Sequence, residues 1–283
     1  MGAAETLFDA VASWDIATPP RPLRLPGVAM AGFRARTSEP VEMSVVPYPA
    51  VTVFIDFGDG LRVDDVGGER QRGSFVAGLT PGAVLQGRGR DVECLQVRLS
   101  PVVAHAALGG SPELSGATVS LDDLWGRDAV RFRDRLHAAA SWNERFAIAE
   151  AAIARRCSAG REVDPEIGFA WEQMLANLGG VRVERLADET GWSRKRLWSR
   201  FRSQIGLTPK RAAQLVRFDR AAHRLAAGVS PAVVAAETGY VDQSHLHRDV
   251  MAFAGVTPAA VASAPWLVVD PVAWAAPEYL IAA

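Results

Sequence analysis

Basic and hydrogen-bonding side chains crowd two short stretches of the chain. Arg194, Lys195, Arg196, Trp198, Ser199, Arg200 and Arg202 make up one, and Gln243, Ser244, His245, His247 and Arg248 the other. These residue types share one chemistry. Arg and Lys neutralise phosphates or fork onto guanine edges, Gln pairs with adenine, and Ser and His reach either. Neither stretch has the spacing of a Ser-His-Asp or Cys-His relay.

Both stretches lie inside a duplicated pattern. The first copy reads Leu186-Ala187-x3-Gly191-x-Ser193-x3-Leu197-x3-Phe201-x4-Gly206-x-Thr208-Pro209. The second reads Val234-Ala235-x3-Gly239-x2-Asp242-x3-Leu246-x3-Val250-x4-Gly255-x-Thr257-Pro258. Leu197 and Leu246 are 49 positions apart, as are Gly206 and Gly255, whereas Gly191 and Gly239 are 48 apart. One residue is therefore inserted in the second turn. Repetition in register constrains the architecture before any detail does.

Each copy predicts helix, tight turn, helix. Gly191 or Gly239 closes the first helix in the left-handed conformation. Ser193 or Asp242 caps the second. Leu197 with Phe201, or Leu246 with Val250, forms a buried stripe at a spacing of four. The first helices should bury Leu186 and Ala187 and, in the second copy, Val233, Val234 and Ala236. The polar sets then fall off the buried stripe of each second helix, which is the helix-turn-helix arrangement that places that helix in a DNA major groove. Lys195, Trp198 and Ser199 are the expected base contacts of the first reading helix; Gln243, Ser244, His247 and Arg248 are those of the second. Arg194, Arg196, Arg200, Arg202 and His245 are expected on phosphates. The alternative of two helical hairpins with merely solvated faces does not account for the in-register duplication.

Charge agrees with that placement. From Arg182 to Asp249 there are 13 Arg and Lys against 7 Asp and Glu, a balance of +6. The whole chain carries −1, which leaves −7 outside this segment. A basic part attached to an acidic part is polarised, and the basic part is the one suited to phosphate.

The segment from about Phe169 to Ala260 resembles the double helix-turn-helix domain of the AraC/XylS family of transcriptional regulators. The likeness lies in Val183-Glu184-Arg185-Leu186-Ala187 with Gly191-Trp192-Ser193, and in Phe201-Arg202-Ser203-Gln204-Ile205-Gly206-Leu207-Thr208-Pro209. In the second copy it lies in Gly239-Tyr240-Val241-Asp242-Gln243-Ser244-His245-Leu246-His247-Arg248 and Gly255-Val256-Thr257-Pro258. Two positions depart from the family pattern. Ser199 stands where Arg is frequent, with Arg200 beside it, and Val250 stands where Phe is usual. The resemblance implies a bacterial regulator with a cupin-like sensor barrel ahead of the DNA-binding domain, double-stranded DNA as partner, and a small-molecule effector and a homodimer as further candidates.

The remainder of the 283-residue chain is read around this domain. Residues 1–157 are expected to form the cupin-like sensor or dimerisation domain with trailing helices, 158–164 a linker, 165–263 the DNA-binding domain and 264–283 an apolar tail. The fold class is thus α+β in two domains. Short strands are predicted at Val41–Val46, Val51–Phe57, Leu61–Val66, Ser74–Leu79 and Val92–Leu99. Gly58-Asp59-Gly60 and Val66-Gly67-Gly68 read as hairpin turns. Helices follow at Pro101–Leu108, Leu121–Gly126, Arg127–Ala140 and Asn143–Arg156. In the last, Phe146, Ala149 and Ile153 make a stripe that suits packing on its own domain or pairing of two copies equally. Cys157–Val163 reads as a hinge, and Asp164 as the cap of a helix burying Ile167, Trp171, Met174 and Leu175. A long helix over 209–227, burying Leu215, Phe218 and Leu225, joins the copies. Its Arg217, Arg220 and Arg224 either touch DNA backbone or pair with Asp219. The tail, with Trp266, Trp274 and Tyr279, is expected to pack back on the body, because Pro265, Pro271 and Pro277 interrupt any membrane span.

Other chemistries find little support. No histidine falls between Leu23 and Leu99, where a metal-binding cupin needs imidazole ligands, so neither metal nor cofactor is expected. Gly87-Arg88-Gly89 lacks the context of a phosphate loop and reads as a solvated hairpin; the alternative is that Arg88 and Arg90 meet an acidic ligand at a barrel mouth. Met1–Pro20 shows no export signal, and Cys94 and Cys157 read as ordinary thiols, both consistent with the cytoplasm. The rival readings are an enzyme built on the barrel and a protein-binding adaptor on a helix-turn-helix scaffold.

Overall fold

The computed structural model describes residues 14–36, 41–58, 62–64, 70–80, 82, 84–109, 114, 116–262, 267 and 270–274. The N-terminal part contributes β1 (Trp14–Ala17), β2 (Val28–Ala35), β3 (Val41–Val45), β4 (Val51–Asp56), β5 (Arg62–Asp64), β6 (Arg70–Arg72), β7 (Phe75–Ala77), β8 (Leu85–Gly89), β9 (Glu93–Leu99) and β10 (Thr118–Ser120). Among the described residues they form two antiparallel sheets, ordered β1-β2-β9-β4-β7-β10 and β3-β8-β5-β6.

Alternation along the strands assigns the two faces of the larger sheet. Ala31, Phe33, Phe54, Phe75 and Cys94 face the smaller sheet, where they meet Val63 and Leu85. Met30, Val53, Ile55, Val76 and Val97 face the helices. Strand β4 is covered on both sides, so all its residues are buried and it reads as a continuous apolar run. Phe54 stacks on Phe75 at 4.7 Å between centroids. The space left between the sheets is about 20 Å³, bordered by Val45, Phe54, Val63, Phe75 and Leu85, which is room for roughly one water. Burial pushes the Cys94 thiol up to about 12.

Several expectations are corrected here. Two sheets, not one closed barrel, make up the described strands. β4 and β5 belong to different sheets, so they do not pair with each other as a hairpin would; residues 59 and 60 lie outside the described residues, as does Val66-Gly67-Gly68. Gly87-Arg88-Gly89 is not a hairpin but part of β8, paired with β3 and β5.

Helices α1 (Pro101–Leu108), α2 (Leu121–Trp125), α3 (Arg127–Ala138) and α4 (Trp142–Ala159) follow. Phe146, Ala149, Ala152 and Ile153 of α4 are buried in the protein's own core, so this stripe packs on its own domain. α4 continues through Ala159, past the expected start of the hinge, because Cys157 and the residues around it keep helical hydrogen bonding until Gly160.

The C-terminal part is helical: α5 (Pro165–Ala176), α6 (Val183–Thr190), α7 (Arg194–Ile205), α8 (Pro209–Ala226), α9 (Pro231–Glu237), α10 (Gln243–Ala254), α11 (Pro258–Ala262) and the short α12 (Asp270–Ala273). Ile167, Trp171, Met174 and Leu175 of α5, and Leu215, Phe218 and Leu225 of α8, are buried as expected. Gly179, with φ +77, lets the chain after α5 touch α8; a Cβ there would lie 2.3 Å from the Ala213 carbonyl oxygen. Among the described residues no helix is long and apolar enough to cross a membrane. Of the tail aromatics, Trp266 and Tyr279 lie outside the described residues, and Trp274 is buried against the sheets.

Candidate nucleic-acid interface

The two copies are built alike, bond for bond. Gly191 and Gly239 take φ +67 and +76. The Trp192 N–H donates to the Ala187 carbonyl at 3.0 Å, and the Tyr240 N–H donates to the Ala235 carbonyl at 3.0 Å. Ser193 accepts from the Arg196 N–H at 3.2 Å, and Asp242 accepts from the His245 N–H at 2.7 Å. Thr208 and Thr257 cap the following helices in the same way, each at 3.2 Å. The residue inserted between these matched bonds is Val241, which is 87% exposed. The extra position bulges into solvent and leaves both flanking helices anchored.

Leu186, Ala187, Leu197 and Phe201 are buried in the first unit; Val234, Ala235, Leu246 and Val250 are buried in the second. The expectation for Val233 and Ala236 is corrected. Both are exposed, and Ala235 takes the buried place, since the helix face is set by Val234 with its neighbour.

α8 holds the units apart. Its 18 residues span roughly 27 Å at about 1.5 Å each, against about 34 Å between successive major grooves on one DNA face. Contrary to one of the two expectations, Arg217 and Arg224 on α8 do not pair with Asp219. Arg217 donates to Asp249 of α10 at 3.2 Å and lies over the Tyr240 ring, while Arg224 pairs with Glu237 of α9. Asp219 is buried beside His223 instead.

The outward faces carry the expected side chains. Arg194, Lys195, Arg196, Trp198, Ser199, Arg200 and Arg202 are all exposed on α7, as are Gln243, Ser244, His247 and Arg248 on α10. Arg196 lies over Trp192 and Arg202 over Trp198, at 4.2 and 5.4 Å, within reach of a cation–π contact. The Arg248 side chain leans on the Ser244 carbonyl at 3.4 Å.

Three of the polar residues have charged partners within the protein; the exposed Arg194 lies 3.6 Å from Glu184. Arg200 forks onto Asp164, with Nε and Nη2 each 2.7 Å from a carboxylate oxygen. That fork holds the Asp164 carboxyl below its usual range. Asp164 thus sits at the N-cap of α5 without using its side chain as a cap, contrary to expectation. His245 is half-buried, edge-on to Tyr240 at 5.1 Å and 4.0 Å from Asp249. Position 200 corresponds to position 249 in the register of 49, so one helical position is an ion-paired mooring in both copies, with the sign of charge reversed.

The first unit also touches the N-terminal domain. His105 Nδ1 on α1 lies 3.1 Å from the Gln204 carbonyl oxygen, and the Gln204 side chain accepts the Asp164 N–H at 2.8 Å. Burial holds the His105 imidazole below its usual value. Nothing local in the sequence signals these contacts, because their partners are far apart along the chain.

Comparison with known proteins agrees with this construction. Residues 186–264 match the model of a helix-turn-helix domain family. An HTH-type transcriptional regulator of Bacillus subtilis, YbfI, is 38% identical over 66 residues, 23% of this chain. The chain spans only about a quarter of that relative's length, 24%. ToxT from Vibrio cholerae covers 84% of this chain and 98% of its own at 7% identity, with a TM-score of 0.47. The C-terminal domain of AraT from Geobacillus stearothermophilus covers 36% and 87% at 17% identity, with a TM-score of 0.34. Likeness at those scores leaves the fold to rest on the chain's own geometry. Matched hydrogen bonds and sequence likeness over residues 186–264 agree: this segment is a helix-turn-helix domain.

Proposed function

We propose that the chain is a sequence-specific, DNA-binding transcriptional regulator of the AraC/XylS type, in which α7 and α10 read successive major grooves. One observation carries this reading. Two reading helices with the same caps and the same buried stripe turn polar and basic faces to solvent, joined by one helix of suitable length.

Lys195, Trp198 and Ser199 of α7, and Gln243, Ser244, His247 and Arg248 of α10, are the proposed base contacts. Arg194, Arg196 and Arg202 are proposed on phosphates. Arg200 and His245 join them only if their pairs with Asp164 and Asp249 open. The N-terminal sheets, which face each other across an apolar interior, are proposed as a cupin-like domain that senses a small-molecule effector or pairs two copies. The cavity bordered by Val45, Phe54, Val63, Phe75 and Leu85 has only about 20 Å³, so an effector entering at that point must part the sheets.

Selection of bound fragments from a random DNA pool tests the reading. A bipartite motif with elements about 10–10.5 base pairs apart is expected, with affinity falling steeply as salt rises. A pool that yields no enrichment overturns it.

A further inference from the structure

A cluster of charge lies deep where the domains meet. Arg98, on β9, is 4% exposed. Its guanidinium carbon is 4.1 Å from the centre of the Tyr48 ring and 4.0 Å from that of Trp274, so it is held between two aromatic rings. Its Nη2 donates to Asp270 Oδ1 at 3.1 Å, and its Nη1 lies 3.5 Å from Oδ2. Asp270 Oδ2 is also 3.1 Å from His223 Nε2 on α8, and His223 Nδ1 is 2.8 Å from the Asp219 carbonyl oxygen. Three segments distant in sequence, a strand, the connecting helix and the tail, therefore converge on one carboxylate.

The tail is shaped for this place. Asp270 and Trp274 are one helical turn apart, tied by the Trp274 N–H to the Asp270 carbonyl at 2.7 Å. One side of that turn thus offers a carboxylate and a ring together. Trp274 packs beside Phe33 in the core between the sheets, and Leu267 joins the larger core shared with the DNA-binding domain. Buried ion pairs are a poor means of adding stability, because desolvation offsets the attraction. What they do well is fix which surfaces meet.

We propose that Leu267 and residues 270–274 form a strap that couples the N-terminal domain to the connecting helix of the DNA-binding domain, anchored at Asp270 and plugged by Trp274. While the strap is seated, β9 and α8 open together only when both domains open. Once it is lifted, each opens by itself. Since α8 separates the two reading helices, the strap gives the N-terminal domain a grip on the part that spaces them. The inference holds whatever the C-terminal domain binds.

Hydrogen exchange followed by mass spectrometry on the full chain tests it, comparing wild type with Asp270→Asn and Trp274→Ala. Amides of 94–99 and of 219–226 are expected to exchange faster together, by at least about tenfold, while those of 246–254 keep their protection. A rise confined to the tail, or to one of the two segments, overturns the strap. Should the tail variants fail to fold, His223→Gln is read by the same rule, because it weakens the Asp270 anchor and leaves the tail residues intact.

Discussion

The two helix-turn-helix units share a skeleton and differ in their moorings. α7 is moored outward, through Arg200 to Asp164 and through Gln204 to His105 of the N-terminal domain. α10 is moored inward on the connecting helix, through Asp249 to Arg217 and through Phe253 stacked on Phe218 at 4.9 Å. The shared buried set makes each unit a helix-turn-helix, and the moorings decide what each unit can feel. The first is hydrogen-bonded to the N-terminal domain; the second is tied to its own connecting helix and only passes close to that domain, at Gly82, where a Cβ would lie 3.2 Å from the Ala252 carbonyl oxygen.

The skeleton itself is the place to strike hardest. Phe201→Ala should cost about 3–5 kcal/mol, and Val250→Ala about 2 kcal/mol, read as denaturant midpoints; equal losses would deny the larger first core. Next come the moorings. Arg217→Ala leaves Asp249 with an unpaired charge in a mostly buried site and should cost about 3 kcal/mol. Its counterpart Arg200→Ala breaks a more exposed pair, with side chains 46% and 27% accessible, and should cost clearly less. The reverse ranking would show that the first unit, not the second, is the rigid one.

The connecting helix adds a dependence on pH. Burial alone would lower His223, but Asp219 and Asp270 outweigh it and raise His223 to about 9 from an ordinary 6.5. A raised value means the protonated form is favoured in the folded state. This contribution, on the order of 3 kcal/mol at full shift, is present below about pH 6.5 and is lost as pH rises toward 9. Urea titrations across that window should show the fall in wild type and not in His223→Gln.

On DNA the contrast moves to the outer faces. Arg248→Ala should lose about 1–3 kcal/mol on the selected site and relax the preference at one base pair; equal loss on random DNA would make Arg248 a backbone clamp. At the caps, Ser193→Ala and Asp242→Ala should each cost about 1 kcal/mol in stability. Similar values for the pair are expected, since the caps are the most closely matched part of the two units.

These contrasts also mark what the sequence made legible. Caps, turn glycines and the stripes at Leu197 and Leu246 are set by local spacing and repeated twice, so they were readable. Val233-Val234-Ala235-Ala236 is apolar throughout, so periodicity gave it no phase; alignment with Leu186-Ala187 does. Arg70–Arg72 and Leu85–Gly89 are strands without an apolar run, and only pairing with neighbours makes them so. The Arg200–Asp164 and Arg98–Asp270 pairs are tertiary and leave no trace in spacing. The outward residues of the reading helices were legible as a set, but which of them are already occupied was not.

Val241 carries a last consequence. Because the hydrogen bonds on either side of it match those of a turn that lacks it, a single added codon has been absorbed at this corner without recutting the interior. The corner is therefore where the chain tolerates a change of length, since the extra residue sits in solvent and everything packed beneath stays put.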